Sequence, residues 1–152
     1  MYIDEIEADD VRFIFERQVH RAPEYGIDYF NMRINDISAR VEDFSVVRSA
    51  VAMKITEVEA TEQSGFHIDD LDTELFIDNG VIRFDNFSVQ TPHSSVELPL
   101  MLIDGESWDE YKEYIDKVKM RGEVRNTTIS TDDLGYFAPA MRSWGVTLSE
   151  AD

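Results

Sequence analysis

Apolar and polar side chains alternate through most of this chain, the period-two pattern of strands with one dry and one wet face. The clearest case sets Leu71, Thr73, Leu75 and Ile77 against Asp72, Glu74, Phe76 and Asp78. Asn79-Gly80 follows, then the run Val81 to Val89. Both turn residues accept positive φ, so the pattern predicts a two-residue type I′ hairpin. Thr91-Pro92-His93-Ser94 reads as a second turn, after which Val96, Leu98, Leu100 and Leu102 alternate as the next strand. Pro99 has no N–H to give a ladder, so it is expected at a bulge or facing away from a partner. Three strands joined by short turns make an antiparallel meander.

Upstream, Val11 to Arg17 is rich in strand formers, with Val11, Phe13 and Phe15 on one side. A loop is expected around Arg21 to Gly26. Tyr29 to Ile34 and Asp36 to Phe44 read as two strands or one bent strand, with Ile37, Ala39 and Val41 on the dry side. Ala50 to Ala60 is a further strand with weaker alternation. Downstream, Ser107-Trp108-Asp109-Glu110 has the form of a capping box, in which Ser and Glu satisfy each other's backbone amides. It opens an expected helix to about Val118, with Trp108, Tyr111, Ile115 and Val118 on one face. Met120 to Ile129 returns to strand. Ser130 then starts a short helix toward Met141, which Pro139, falling inside it, should limit to about two turns or distort. Gly145 to Asp152 is a weak strand or tail. The expected fold is mainly β with two short helices, a β-rich α+β single module over residues 1–152.

The length of 152 residues suits one domain with a core. No apolar run approaches the roughly 18–20 residues of a spanning helix. The N-terminus Met1-Tyr2-Ile3-Asp4 lacks the basic and apolar regions of a signal peptide. The chain is therefore expected either to be cytosolic or to be a piece of a longer protein targeted from upstream. Charge narrows the partners: 14 Lys+Arg against 32 Asp+Glu give −18. Such a polyanion is repelled by phosphate backbones, so nucleic acid is excluded as a general partner, and anionic membrane surfaces repel it too. The absence of Cys removes disulfides, thiolate zinc sites and a Cys nucleophile.

Candidate chemistry is sparse. The three histidines, His20, His67 and His93, show no zinc-hydrolase spacing. His67 and Asp69 would share a strand face, as an acid–base or metal pair or simply as a solvated surface. The acidic clusters Asp9-Asp10, Asp69-Asp70-Asp72 and Asp132-Asp133 lack the ligand spacing of a calcium loop. Asp132 and Asp133 fit the positive end of a helix dipole instead. Ser94-Ser95 after His93 has no nucleophile elbow and no third triad member. Glycine-rich phosphate loops and dinucleotide fingerprints are missing. The expectation is a non-enzymatic protein with no metal and no cofactor. An apolar sheet face must still be covered, by helices, by more sheet or by a ligand. Leu71, Leu75, Ile77, Val96, Leu98 and Leu100 can be read as plain core or as a groove lining.

Four short segments carry a resemblance: Gly26-Ile27-Asp28-Tyr29-Phe30, Glu62-Gln63-Ser64-Gly65-Phe66, Thr91-Pro92-His93-Ser94, and Ser130 to Pro139 in the form Ser-x-x-Asp-Leu-x-x-Phe-x-Pro. In this order and spacing the chain resembles the AsmA and TamB-like envelope proteins, particularly those of Bacteroidetes. The resemblance implies an internal fragment of a longer periplasmic protein anchored in the inner membrane elsewhere. It implies an elongated groove-like sheet, open like a folded taco, whose inner face takes lipid acyl chains or unfolded outer-membrane protein strands. The role implied is outer-membrane biogenesis, through β-barrel assembly and secretion or phospholipid transport, with an outer-membrane assembly factor engaged by parts outside this chain. The groove candidates on the alternating faces are Leu71, Leu75, Ile77, Ile82, Phe84, Val96, Leu98 and Leu100. Exposed sheet edges would favour an edge-to-edge homodimer. The alternative is a self-contained acidic β-rich module that binds a protein or carbohydrate.

Overall fold

The computed structural model describes residues 1–17, 21–105, 119–145 and 147–149. The expected helix at 107–118, with Trp108, Tyr111 and Ile115, lies outside the described residues, as does His20. The strands are β1 (Tyr2–Glu16), β2 (Asn31–Val47), β3 (Ala50–Glu62), β4 (His67–Ile68), β5 (Asp70–Asp78), β6 (Val81–Gln90), β7 (Ser95–Asp104), β8 (Lys119–Ser130) and β9 (Thr147–Ser149). They form one antiparallel sheet in the order β1-β2-β3-β5-β6-β7-β8-β9, with β4 paired to β3 beside that path. Apart from the two-residue β4, sequence neighbours are sheet neighbours, so the sheet is an antiparallel meander. Helix α1 (Thr131–Phe137) follows β8, and a 3-10 helix (Pro139–Trp144) follows it. Pro139 ends the α-helix as expected. Asn79 and Gly80 have φ of 45° and 83°, the two positive values that a type I′ turn requires.

The long strands are not regular. Asp10, Asp36, Asp43, Glu57, Asn86 and Asn126 all sit within strands at φ between 44° and 56°. Asp and Asn enter this left-handed region more readily than other non-glycine residues. Each adds one residue to its strand, a bulge that flips the alternation and bends the chain. Along β2 the dry positions are Met32, Ile34, Ile37, Ala39, Val41, Phe44 and Val46, with a step of three at Asp36 and again at Asp43. In β6 they are Ile82, Phe84, Phe87 and Val89, with the long step at Asn86. Strict alternation would have turned half of these side chains to the wet face.

Directly paired residues of antiparallel strands share a face, so the register traces the apolar rows. One row runs Val46, Val51, Ile77, Ile82, Ile103 and Met120 across six strands. Another runs Met53, Leu75, Phe84, Met101 and Gly122. A third joins Leu71, Val89 and Val96. The opposite face carries Glu42, Lys54, Glu74, Asp85, Leu100 and Glu123 in one row. Ion pairs knit it: Lys54–Glu42 at 3.4 Å, Arg40–Glu7 at 3.0 Å and Arg83–Asp85 at 2.9 Å. These pairs lie at the solvent-facing surface, half-buried to exposed, and contribute little individually. The expected run Val96, Leu98, Leu100, Leu102 is therefore broken at Pro99. Val96 and Leu98 continue through Met101 and Ile103, while Leu100 and Leu102 lie on the charged face.

Side chains of neighbouring strands stitch the bulges. The Glu57 N–H donates to Asp72 Oδ1 at 2.9 Å. Asn86 Nδ2 donates to Glu74 Oε2 at 3.1 Å, and Asn126 Nδ2 to Glu97 Oε2 at 2.9 Å. The Tyr2 hydroxyl donates to Asp43 Oδ1 at 2.7 Å, and that bond to a carboxylate raises its pKa to about 12. Replacing Asn86 with Val should cost about 1–2 kcal/mol, the price of a left-handed conformation for an ordinary L residue. Asn86→Gly should stay within about 0.5 kcal/mol of the parent; urea unfolding of the two variants checks this.

Candidate functional site

Two features of the sheet stand out: an apolar face whose described side chains are mostly half-buried or exposed, and a cap at one end of it. Among the described residues only Ile27 and Ala60 are buried apolar side chains. Leu71, Leu75, Ile77, Ile82, Phe84, Val96, Leu98 and Leu100 are all half-buried. Seven of these eight sequence candidates share the apolar face, and Leu100 does not. Phe84 and Phe87 meet edge to face at 6.2 Å on that face. Its far edge is more open, with Val11, Phe13 and Phe15 of β1 exposed. Along its outer side β1 has no strand partner among the described residues.

Burial concentrates at the capped end, and it is mostly polar: Asp28, Glu62, Ser94, Ser130, Thr131 and Asp133. Helix α1 begins there because Ser130 caps it, its Oγ accepting the Asp132 N–H at 3.1 Å. Asp133 then ties the helix to the β6–β7 turn. Its Oδ2 accepts the Thr91 hydroxyl at 2.6 Å and also the Ser94 hydroxyl. The Ser94 Oγ in turn accepts the Ser130 N–H at 3.0 Å. The far end of α1 reaches the segment before β2, where the Ile27 N–H donates to the Tyr136 carbonyl at 2.8 Å. Gly26, at φ +88°, is required at this approach: an added Cβ would lie 2.5 Å from that same carbonyl oxygen. Tyr136 stacks on Tyr25 at 5.5 Å, and Phe137 meets Phe66 edge to face at 4.8 Å.

The turn after β3 completes the cap. The Glu62 N–H donates to the Phe66 carbonyl, the Gly65 N–H to the Glu62 carbonyl, and the Ser64 N–H to Glu62 Oε2, each at 2.8 Å. Between this turn, the start of β2 and α1 lies a pocket of about 260 Å³ lined by Ile27, Met32, Ile34, Ala60, Glu62, Phe66, Ile68 and Phe137. All but Glu62 are apolar.

Four segments far apart in sequence, 26–30, 62–66, 91–94 and 130–139, thus meet at one place. Ile27 and Asp28 come from the first, Glu62 and Phe66 from the second, Thr91 and Ser94 from the third, and Ser130, Asp133 and Phe137 from the fourth. Alternation alone misses this site, because its residues sit in turns and in a short helix. The signal available was the polar pattern itself: Ser and Asp at cap spacing, and Thr and Ser flanking a Pro turn.

The remaining sequence candidates are surface features. His67 does share a face with Asp69, its Nε2 lying 3.3 Å from Oδ1, while its Nδ1 meets the Thr61 hydroxyl at 2.7 Å. Desolvation, with the neighbouring Asp72 charge second, raises the Asp70 pKa above its ordinary value. Among the described residues no group of three or more His, Asp or Glu is placed to hold a metal ion. Also among these residues, no helix is long and apolar enough to cross a membrane.

In comparisons with protein-family models, curated proteins and solved structures, the chain has no significant match. The site is therefore read from its own chemistry. Asp133→Ala should lower stability by roughly 2–4 kcal/mol, since the buried Ser94 hydroxyl and the half-buried Thr91 hydroxyl lose a charged acceptor. Thermal unfolding gives that loss, and Tyr fluorescence reports release of Tyr136 from Tyr25.

Proposed function

We propose that this chain is a non-enzymatic module of an AsmA/TamB-like envelope protein that holds acyl chains on its apolar face. The observation that supports it is the apolar row Val46, Val51, Ile77, Ile82, Ile103 and Met120, continuous across six strands. The side chains of that row on β5 and β6, like those of the Leu75–Phe84 row, are half-buried rather than sealed. Holding an apolar chain needs no directional chemistry. Each Å² of apolar surface withdrawn from water contributes about 25 cal/mol, wherever along the face the chain lies. A continuous row gives no single preferred stop, which suits a conduit better than a storage site. The charged face, with its ion pairs, keeps the other side in water. The unpartnered edge of β1 is where a neighbouring strand of a longer sheet, or of a second copy, would add. In this reading the module works in the periplasm, in outer-membrane biogenesis, with phospholipid or unfolded barrel strands as cargo. In the same reading the membrane anchor, and the parts that engage an outer-membrane assembly factor, belong to other segments of a longer protein.

Native mass spectrometry of the protein, together with titration of a fluorescent fatty acid, tests this. Bound phospholipid or saturable fatty-acid binding is expected. Phe84→Glu should weaken binding by about tenfold or more, because a carboxylate in an apolar contact is costly. Leu100→Glu, on the charged face, should leave it unchanged. No lipid and no saturable binding, or equal losses in both variants, would contradict the proposal.

A further inference from the structure

The two long edges of the sheet carry opposite charge. β1 lies at one side, and at the other β9 pairs only residues 128–130 of β8. Residues 119–127 of β8, like the whole of β1, therefore have one side without a strand partner among the described residues. β1 carries Asp4, Glu5, Glu7, Asp9, Asp10 and Glu16 against Arg12, a net −5. β8 carries Lys119, Arg121 and Arg125 against Glu123, a net +2, and no other described strand is net positive. On its inner side β1 already meets basic residues of a neighbouring strand: Glu7 pairs with Arg40 at 3.0 Å and Glu16 with Arg33 at 2.6 Å. Among the described residues Glu5, Asp9, Asp10 and Lys119 make no ion pair.

The faces match as well. Val11 and Phe13 of β1 pair with Ile37 and Ile34, and Met120 of β8 pairs with Ile103, so all three lie on the apolar face. They are 43 %, 48 % and 56 % exposed. Glu5 pairs with Glu42 and Arg121 with Leu102, which places both on the charged face. The six pairings from β1 to β8 are all antiparallel, so these two edges run in the same direction. From the charges and the faces together we infer that copies of this chain join head to tail. The β1 edge of one copy pairs in parallel with residues 119–127 of the next. This keeps the apolar face on one side across the junction and sets the carboxylates of residues 4–10 beside Lys119, Arg121 and Arg125. Pairing of like edges would instead set −5 against −5 or +2 against +2, and like charges directly opposite are unfavourable. Charge on an edge guards it against its own kind; here it leaves the basic edge as its complement. Arg121–Asp104 at 3.8 Å and Arg125–Glu123 at 3.7 Å are loose pairs that leave guanidinium N–H groups for a second carboxylate. At physiological salt a Debye length of about 8 Å screens the −18 of each whole copy, while groups in contact across the junction act at shorter range. Such an interface is heterologous, with a free β1 and a free β8 always left at the ends, so it builds an open series. It forms whatever the apolar face carries.

Sedimentation velocity of the full chain at physiological salt, over a concentration series, reads the assembly. The unsubstituted chain should form dimers and then larger species as concentration rises. Two charge-reversed variants, Glu5→Lys with Asp9→Lys in β1 and Arg121→Glu with Arg125→Glu in β8, should each self-associate at least about tenfold more weakly. Mixed, they should form heterodimers and nothing larger, because each supplies the one intact edge that the other lacks. Phe84→Glu should assemble as the unsubstituted chain does, so this inference and the acyl-chain reading fail separately. A carbodiimide joins a Lys amine directly to a carboxylate and needs no variant to fold. In the dimer band of the unsubstituted chain it should link Lys119 of one copy to a carboxylate among residues 4–10 of another. A monomer at every concentration overturns the inference. So does undiminished association of either folded variant, or a mixture of folded variants that does not dimerise. Dimer-band links that join β1 only to other positions overturn it too.

Discussion

A left-handed residue inside a strand is the constraint on which the rest of this fold depends. Long strands twist, and a strict period of two cannot follow a bent sheet for long without changing which side chains face inward. Here Asp10, Asp36, Asp43, Glu57, Asn86 and Asn126 each absorb one residue at positive φ. The apolar side chains on either side of them stay on one face, and carboxylates and amides of adjacent strands satisfy the displaced polar groups. The acidic composition therefore has a structural role beyond solvation. Short acidic and amide residues tolerate the backbone conformation that the bend demands.

The capped end depends on the same sheet in a different way. Helix α1 spans from the β6–β7 turn to the segment before β2, and buried polar bonds rather than a hydrocarbon core hold it in place. Asp133 collects two hydroxyls, and the Tyr136 carbonyl is met by the Ile27 N–H beside Gly26. Polar networks of this kind fix geometry because each member loses much if its partner moves. The cap thus covers one end of a face whose remaining described rows are half-buried.

Much of the sheet was legible in the sequence. Asn79-Gly80 fixed its hairpin, and the alternation of Leu71 to Ile77 identified both its strand and its dry face. Ser130 and Pro139 bounded α1 from either side. The phase jumps leave no mark in the pattern of apolar residues. Leu98, Pro99 and Leu100 look like an unbroken alternation, yet the register carries Leu98 to the apolar face and Leu100 to the row of Asp85 and Glu123. Residues 2–10 carry no regular alternation, because their dry positions, Ile3, Ile6 and Ala8, are separated by steps of three and two among acidic residues. The pocket was out of reach for another reason: Ile27, Glu62 and Phe137 are far apart in sequence, and only the folded turns bring them together.

Photo-crosslinking at single positions of β7 tests the central claim most directly. A benzophenone side chain is placed in turn at Leu98, Leu100, Met101 and Leu102, and the protein is irradiated with phospholipid present. The account predicts lipid adducts at Leu98 and Met101 and none at Leu100 and Leu102, the steps of two and three that a bulged strand imposes. Adducts at Leu98, Leu100 and Leu102 with none at Met101 would mean plain alternation and would contradict it, as would the absence of adducts at every position.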